Sequence, residues 1–155
     1  VGHLAVQIAK ILGAEVYGVS SSKNRDFILG QGADKHIAYD ECQFDEVIND
    51  MDVVLDAFAF DSLKHSLNAT RTGGKIISLL PMISNEILQM AKAKNVEIHY
   101  SLVSSNGEDM KKLAEFIKSG LLRPFVSQQF KFEEMELAHK AMETSKTVGK
   151  IVVTL

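Results

Sequence analysis

Val1-Gly2-His3-Leu4-Ala5-Val6-Gln7-Ile8-Ala9-Lys10 reads as the last glycine of a tight turn and the helix that leaves it. Leu4, Ala5, Ile8, Ile11 and Leu12 fall on one helical face, and the stripe stops at Gly13, the residue type that best accepts a left-handed C-terminal cap. A short β-rich strand follows at Glu15-Val16-Tyr17-Gly18-Val19. Ser20-Ser21-Ser22-Lys23-Asn24 then gives that strand a polar C-terminal edge and a cap for the next helix.

The same alternation continues outward. A helix runs to about Gly30-Gln31-Gly32, and Lys35-His36-Ile37-Ala38-Tyr39 is the next strand. A loop and short helix through Phe44, Val47 and Ile48 lead to Met51-Asp52-Val53-Val54-Leu55-Asp56, the strongest buried-strand signal of the chain. A helix through Leu63 to Ala69, a Gly73-Gly74 turn and a strand Lys75-Ile76-Ile77-Ser78-Leu79-Leu80 come next. Ser84 caps a helix through Ile87, Leu88 and Ala91. Val96-Glu97-Ile98-His99-Tyr100 is a further strand, and Asn106 opens a helix through Met110, Leu113, Phe116 and Ile117 that Gly120 ends. Strands separated by helices of about three turns mean βαβ units and a parallel sheet covered on both faces. The expected fold class is therefore α/β: a Rossmann-like doubly wound parallel sheet over residues 1–120, lacking its first strand, with a β-α-β tail over residues 121–155.

Composition narrows the function classes. With 155 residues, 46% hydrophobic and 24% charged, the chain suits one sizeable core. Its 17 basic and 20 acidic residues give a net charge of −3 without a basic run, so neither nucleic acid nor an anionic membrane is an expected partner. No apolar run approaches the roughly 20 residues that cross a bilayer, and no signal-peptide pattern opens the sequence. One cysteine, Cys42, fits a reducing, cytoplasmic compartment.

In such a sheet a dinucleotide lays its pyrophosphate over the helix that follows the first strand, which places Gly2 at the end of the phosphate turn. An NAD-preferring site carries Asp or Glu at the end of the second strand to hold the ribose 2′-hydroxyl. Here that edge is Ser20, Ser21, Ser22 and Lys23. Hydroxyls and an ammonium donate hydrogen bonds to a 2′-phosphate, whereas a carboxylate repels it, so NADP(H) is the expected cofactor. The same residues also suit a plain helix start, with Ser22 as cap and Lys23 solvated. Arg25 either shares the phosphate or is simply exposed. Tyr39, ending the neighbouring strand, reaches the same phosphate or is a strand-end aromatic. Ser78 stands at a strand's C-terminal end, facing the crevice where open sheets bind ligands. Asp56 occupies a similar place and serves either a ligand or a neighbouring loop. The five histidines and Cys42 show no metal-ligand spacing, Gly-x-Ser-x-Gly is absent, and no catalytic residue is assigned within the chain.

Taken in order, the stretches at residues 1–10, Gly13-Ala14, 20–24, Gly32-Ala33-Asp34 with Tyr39, Asp52-Val53-Val54-Leu55-Asp56, Gly73-Gly74-Lys75 and Gly149-Lys150-Ile151-Val152 resemble the medium-chain dehydrogenase/reductase superfamily. The resemblance is to its zinc-independent, quinone oxidoreductase-like branch within the zinc-binding-dehydrogenase type, and it covers nearly the whole chain. It implies the cofactor-binding portion of a two-domain reductase that passes hydride from NADPH to a quinone, enone or aldehyde. It also implies a GroES-like N-terminal domain that supplies most active-site groups, so the fragment alone is expected to be inactive. By the same resemblance Ser21, Lys23 and Tyr39 hold the 2′-phosphate, Gly2 ends the pyrophosphate turn, and Lys150 falls near the phosphate end. Residues 102–107 approach the nicotinamide, residues 121–155 pack on the GroES-like domain, and the edge near Val96 offers a homodimer surface. After Asp56 members commonly have small residues, often a glycine pair, where this chain has Ala57-Phe58-Ala59-Phe60. That departure keeps a second reading open: a non-enzymatic module using the fold as a scaffold or interaction surface.

Overall fold

The computed structural model describes residues 1–59, 61–144 and 146–155; Phe60, singled out above, lies outside the described residues. In chain order the elements are α1 (Gly2–Ile11), β1 (Tyr17–Ser20), α2 (Arg25–Gly30), β2 (Lys35–Ala38), α3 (Phe44–Val47), β3 (Met51–Asp56) and α4 (Asp61–Ala69). Then follow β4 (Thr70–Ser78), α5 (Asn85–Lys94), β5 (Glu97–Tyr100), α6 (Gly107–Lys118), β6 (Val126–Lys131), α7 (Met135–Glu143) and β7 (Lys150–Thr154). Strands β3, β4 and β5 form one parallel sheet in that order, β6 and β7 a parallel pair, and β1 and β2 a third sheet. The fold is α/β and Rossmann-like. Strands β1 and β3 belong to separate sheets rather than to the single sheet the sequence leads one to expect.

The chain divides into two units that are not contiguous in sequence. One comprises Val1–Gly18, Asp26–His36 and Gly107–Leu155; the other comprises Val19–Arg25 and Ile37–Asn106.

In the second unit Leu63, Leu67, Ile76, Ile87, Ala91 and Val96 form the core, with Leu63 and Ile76 fully enclosed. Helix α5 is set by local chemistry at both ends. Ser84 Oγ accepts from Ile87 N at 3.2 Å, and Asn95 closes the helix in the left-handed conformation at φ 57°. Lys94 Nζ donates to the Leu67 and Asn68 carbonyls at 2.7 and 2.9 Å, which satisfies the exposed end of α4. The Gly73-Gly74 pair is not a turn before a strand but an interruption inside β4. The pairing with β3 jumps from Met51↔Thr70 to Val53↔Lys75, and a Cβ on Gly74 would stand 2.6 Å from Thr70 Cγ2 and 3.0 Å from two carbonyl oxygens.

The two-sided burial expected of β3 is met on one side only within this unit. Helices α4 and α5 cover the face that holds Val54 and Ile76, while Val53 and Leu55 remain 56% and 42% exposed. A continuous apolar run of this kind encodes cover on both faces. Here the alternate residues find none among their own unit's helices.

In the first unit the buried face of α1 is not the expected apolar stripe. His3, Val6 and Gln7 are buried, and Leu12 is 76% exposed. The reason is a polar network to the tail. Gln7 Oε1 accepts from Arg123 N at 2.7 Å, while its Nε2 lies 3.1 Å from the Arg123 carbonyl and 2.8 Å from Gln31 Oε1. Phe125 N donates to His3 Nε2 at 3.3 Å, and the Phe125 ring leans on Phe27 at 5.1 Å between centroids. Burial pushes the His3 imidazole below its ordinary range, which suits a neutral ring accepting that bond. Residues 123–125 are thereby fixed to α1 before β6 begins.

Candidate functional site

The polar end of β1 meets the end of β2. Tyr39 N donates to the Ser20 carbonyl at 3.1 Å, so the backbone that leaves β2 lies beside the end of β1. Ser21 is buried, and its Oγ accepts from Asn24 Nδ2 at 3.1 Å, which stiffens the turn. Ser22 gives both of its donors to Asp40: N–H at 2.7 Å and Oγ–H at 2.9 Å, one to each carboxylate oxygen. Lys23 is exposed and Tyr39 is 58% exposed, so ammonium and phenol face solvent beside that turn. Arg25 reaches Glu41 Oε2 at 3.5 Å. The donor set suits an anion, and a carboxylate already rests on it.

The C-terminal rim of the β3-β4-β5 sheet is organised around Asp56. Its carboxylate accepts from Phe58 N and Ala59 N, both at 2.9 Å, and from the hydroxyls of Ser62 at 2.6 Å and Ser66 at 2.7 Å. Burial alone pushes this carboxyl up, but the four hydrogen bonds outweigh it and hold it below the ordinary carboxylate range. Of the two roles open to Asp56, the structure shows the loop-holding one. Ala59 sits buried in the left-handed region at φ 57°, a conformation that suits glycine, and Phe58 is 72% exposed. Ser78 is fully buried; its Oγ donates to the Leu80 carbonyl at 2.8 Å, so this hydroxyl serves the loop after β4. Leu102 and Val103, in the loop after β5, are 71% and 90% exposed.

Gly2 and Lys150 lie in the first unit. Gly2 is exposed in the first turn of α1, and a Cβ there would meet no atom within 4 Å; its lack of a side chain answers no packing demand among the described residues. Lys150 opens β7 with its N–H on the Phe125 carbonyl at 2.8 Å, and its ammonium acts on His3, one residue from Gly2. The sequence reading missed Asp40, Gln7 and His3 as organising residues. Only the polar character of Gln7 and His3 on an otherwise apolar helix face signalled them.

Among the described residues no three His, Cys, Asp or Glu side chains gather to hold a metal ion, and no helix is long and apolar enough to cross a membrane.

This is a Rossmann-type cofactor-domain architecture, and the zinc-binding dehydrogenase family pattern matches residues 31–153; the chain belongs to that family. It is similar to the quinone oxidoreductase of Coxiella burnetii, with 30% identity and a TM-score of 0.92 over 99% of this chain and 49% of that one. It is 29% identical to the NADPH-dependent alkenal/one oxidoreductase of Arabidopsis thaliana over 99% of this chain and 37% of that protein. It is 25% identical to the acryloyl-coenzyme A reductase of Metallosphaera sedula, again over 99% of this chain and 47% of that protein. The chain thus spans less than half the length of each of these relatives.

Proposed function

We propose that the chain is the cofactor-binding portion of an NADP(H)-dependent oxidoreductase that reduces a quinone, enone, aldehyde or similar carbonyl compound. The observation that supports this reading is the end of β1, where the backbone of Tyr39 meets Ser20 and the neighbouring turn gives the N–H and hydroxyl of Ser22 to a carboxylate. A relative described as NADPH-dependent, and others described as quinone and acryloyl-coenzyme A reductases, support the reaction class. The cofactor supplies the hydride; this chain's residues bind and orient it. Ser21, Lys23 and Tyr39 take the adenosine ribose and its 2′-phosphate, with Ser20 shaping the turn. Gly2 lets the backbone of α1 come close to the pyrophosphate, Lys150 lends charge nearby, and Ser78 shapes the loop at the nicotinamide side.

Replacing Lys23 by alanine in the full-length protein is expected to weaken NADPH binding by about tenfold, the worth of one exposed charge-assisted hydrogen bond, and NADH by less than about twofold. Fluorescence titration with each cofactor measures both. Equal losses would reject the phosphate role of Lys23, and absence of binding by either cofactor would favour the scaffold reading instead. A second expectation concerns the 155 residues in isolation: assayed with NADPH and a quinone or enone, they show no turnover above the uncatalysed rate. The groups that position the acceptor belong, in this reading, to a GroES-like domain. Sustained turnover by the isolated chain would overturn that division of labour.

A further inference from the structure

The loop after β2 sets two carboxylates against the residues that follow β1. Asp40 engages the N–H and hydroxyl of Ser22 in a two-pronged arrangement at 2.7 and 2.9 Å, and Glu41 engages Arg25 at 3.5 Å. A backbone N–H and a hydroxyl converging on the two oxygens of one carboxylate are placed as they would be to receive a phosphate. Here the anion they hold is the chain's own.

This pairing has two consequences for any second anion at the turn. While Asp40 is seated, Ser22 has no donor to give it. An anion drawn to Lys23, the next residue, also approaches a carboxylate of like charge, and repulsion between nearby exposed charges is large enough to change binding. The sequence edge of hydroxyls and a lysine therefore overstates the affinity of the folded turn for phosphate, because the opposing charge comes from a different loop.

We infer that Asp40 is a specificity-determining residue of the dinucleotide site: its carboxylate competes with the cofactor's 2′-phosphate for Ser22 and holds down the preference for NADP(H) over NAD(H). The inference rests on the reading of the β1 and β2 ends as the adenosine ribose site. Asp40 lies in the loop after β2, at the ribose end in that reading, so its expected effect is on the phosphorylated ribose.

The test uses two fragments of the cofactor and needs no turnover. The full-length protein, Asp40→Asn and Asp40→Glu are titrated calorimetrically with adenosine 2′,5′-bisphosphate and with ADP. Asp40→Asn removes the charge at nearly constant size and is expected to tighten the bisphosphate about tenfold while changing ADP less than about twofold; the gap should shrink as salt is raised. Asp40→Glu keeps the charge and should keep the wild-type ratio. Asp40→Ser, which leaves Ser22 a small acceptor, covers the case in which asparagine disturbs the turn, and it should act in the same direction as Asp40→Asn. Weaker bisphosphate binding in both neutral variants would mean that Asp40 positions Ser22 for the phosphate, and would overturn the inference. An equal change for both fragments would overturn it as well. If the wild-type protein binds neither fragment, the ribose-site reading itself falls, and this inference with it.

Discussion

Asp56→Ala is expected to lower the stability of the chain by about 3 kcal/mol or more, because it strands several donors that now share one buried acceptor. The carboxylate receives two backbone N–H groups and two serine hydroxyls, all within 2.9 Å, at a residue that is 3% exposed. Removing it leaves Phe58 N and Ala59 N without their acceptor and releases Ala59 from a left-handed conformation that alanine adopts only under constraint. Asp56→Asn is a milder break: its oxygen can still accept from the two backbone N–H groups, while its amide N–H groups meet the Ser62 and Ser66 hydroxyls, which must turn from donating to accepting. Urea unfolding at pH 7 measures both losses, and a change under about 1 kcal/mol for Asp56→Ala would show that the network adds little. The pH dependence has a definite sign. The folded pKa of Asp56 lies below the unfolded value of about 3.9, so the unfolded chain takes up the proton first as the pH falls. Its stabilisation is therefore complete at neutral pH, begins to fall as the pH approaches that unfolded value, and is lost as the pH drops through the folded pKa. Asp56→Asn should flatten that part of the acid-unfolding curve.

The contrast between Asp56 and Asp40 shows how far the sequence was legible. Asp56 ends a strand whose apolar run is unmistakable, and its partners Ser62 and Ser66 lie 6 and 10 residues onward on one helix, within reach of local reading. Asp40 and Ser22 are 18 residues apart and meet only because the ends of two paired strands lie side by side, a register that no local spacing encodes. The same limit explains α1. Apolar periodicity located that helix and Gly13, at φ 82°, closed it as expected, but the face that is buried was decided by Arg123 and Phe125, more than 100 residues away. The capping of α5 by Ser84 was readable because cap and first turn are adjacent in sequence. The Gly73-Gly74 pair reads locally as a turn before a strand, and its place inside β4 is not legible because the atoms that crowd Gly74 include the Asp52 carbonyl oxygen from β3.

Gly149→Ala is the second substitution expected to have a large effect, about 3 kcal/mol, and its cause is backbone geometry rather than lost hydrogen bonds. Gly149 holds φ at +88°, a region costly for any residue with a Cβ, and that Cβ would stand 2.5 Å from the Phe125 carbonyl oxygen and 2.6 Å from its ring. The ring's edge can yield only by leaving Phe27, against which it packs at 5.1 Å. The carbonyl can yield only by giving up Lys150 N, the bond that opens the pairing of β6 with β7. Either movement loosens a strand pair that is tied to α1 through Phe125 N and His3. Hydrogen exchange should therefore report faster opening at residues 126–131 and 150–154 in Gly149→Ala, with the β3-β4-β5 sheet less affected. Gly2→Ala is the matched control, a glycine with no neighbour within 4 Å of the added carbon and no positive φ. It should leave these exchange rates unchanged, and equal effects from the two substitutions would show that crowding against Phe125 is not what demands a glycine before β7.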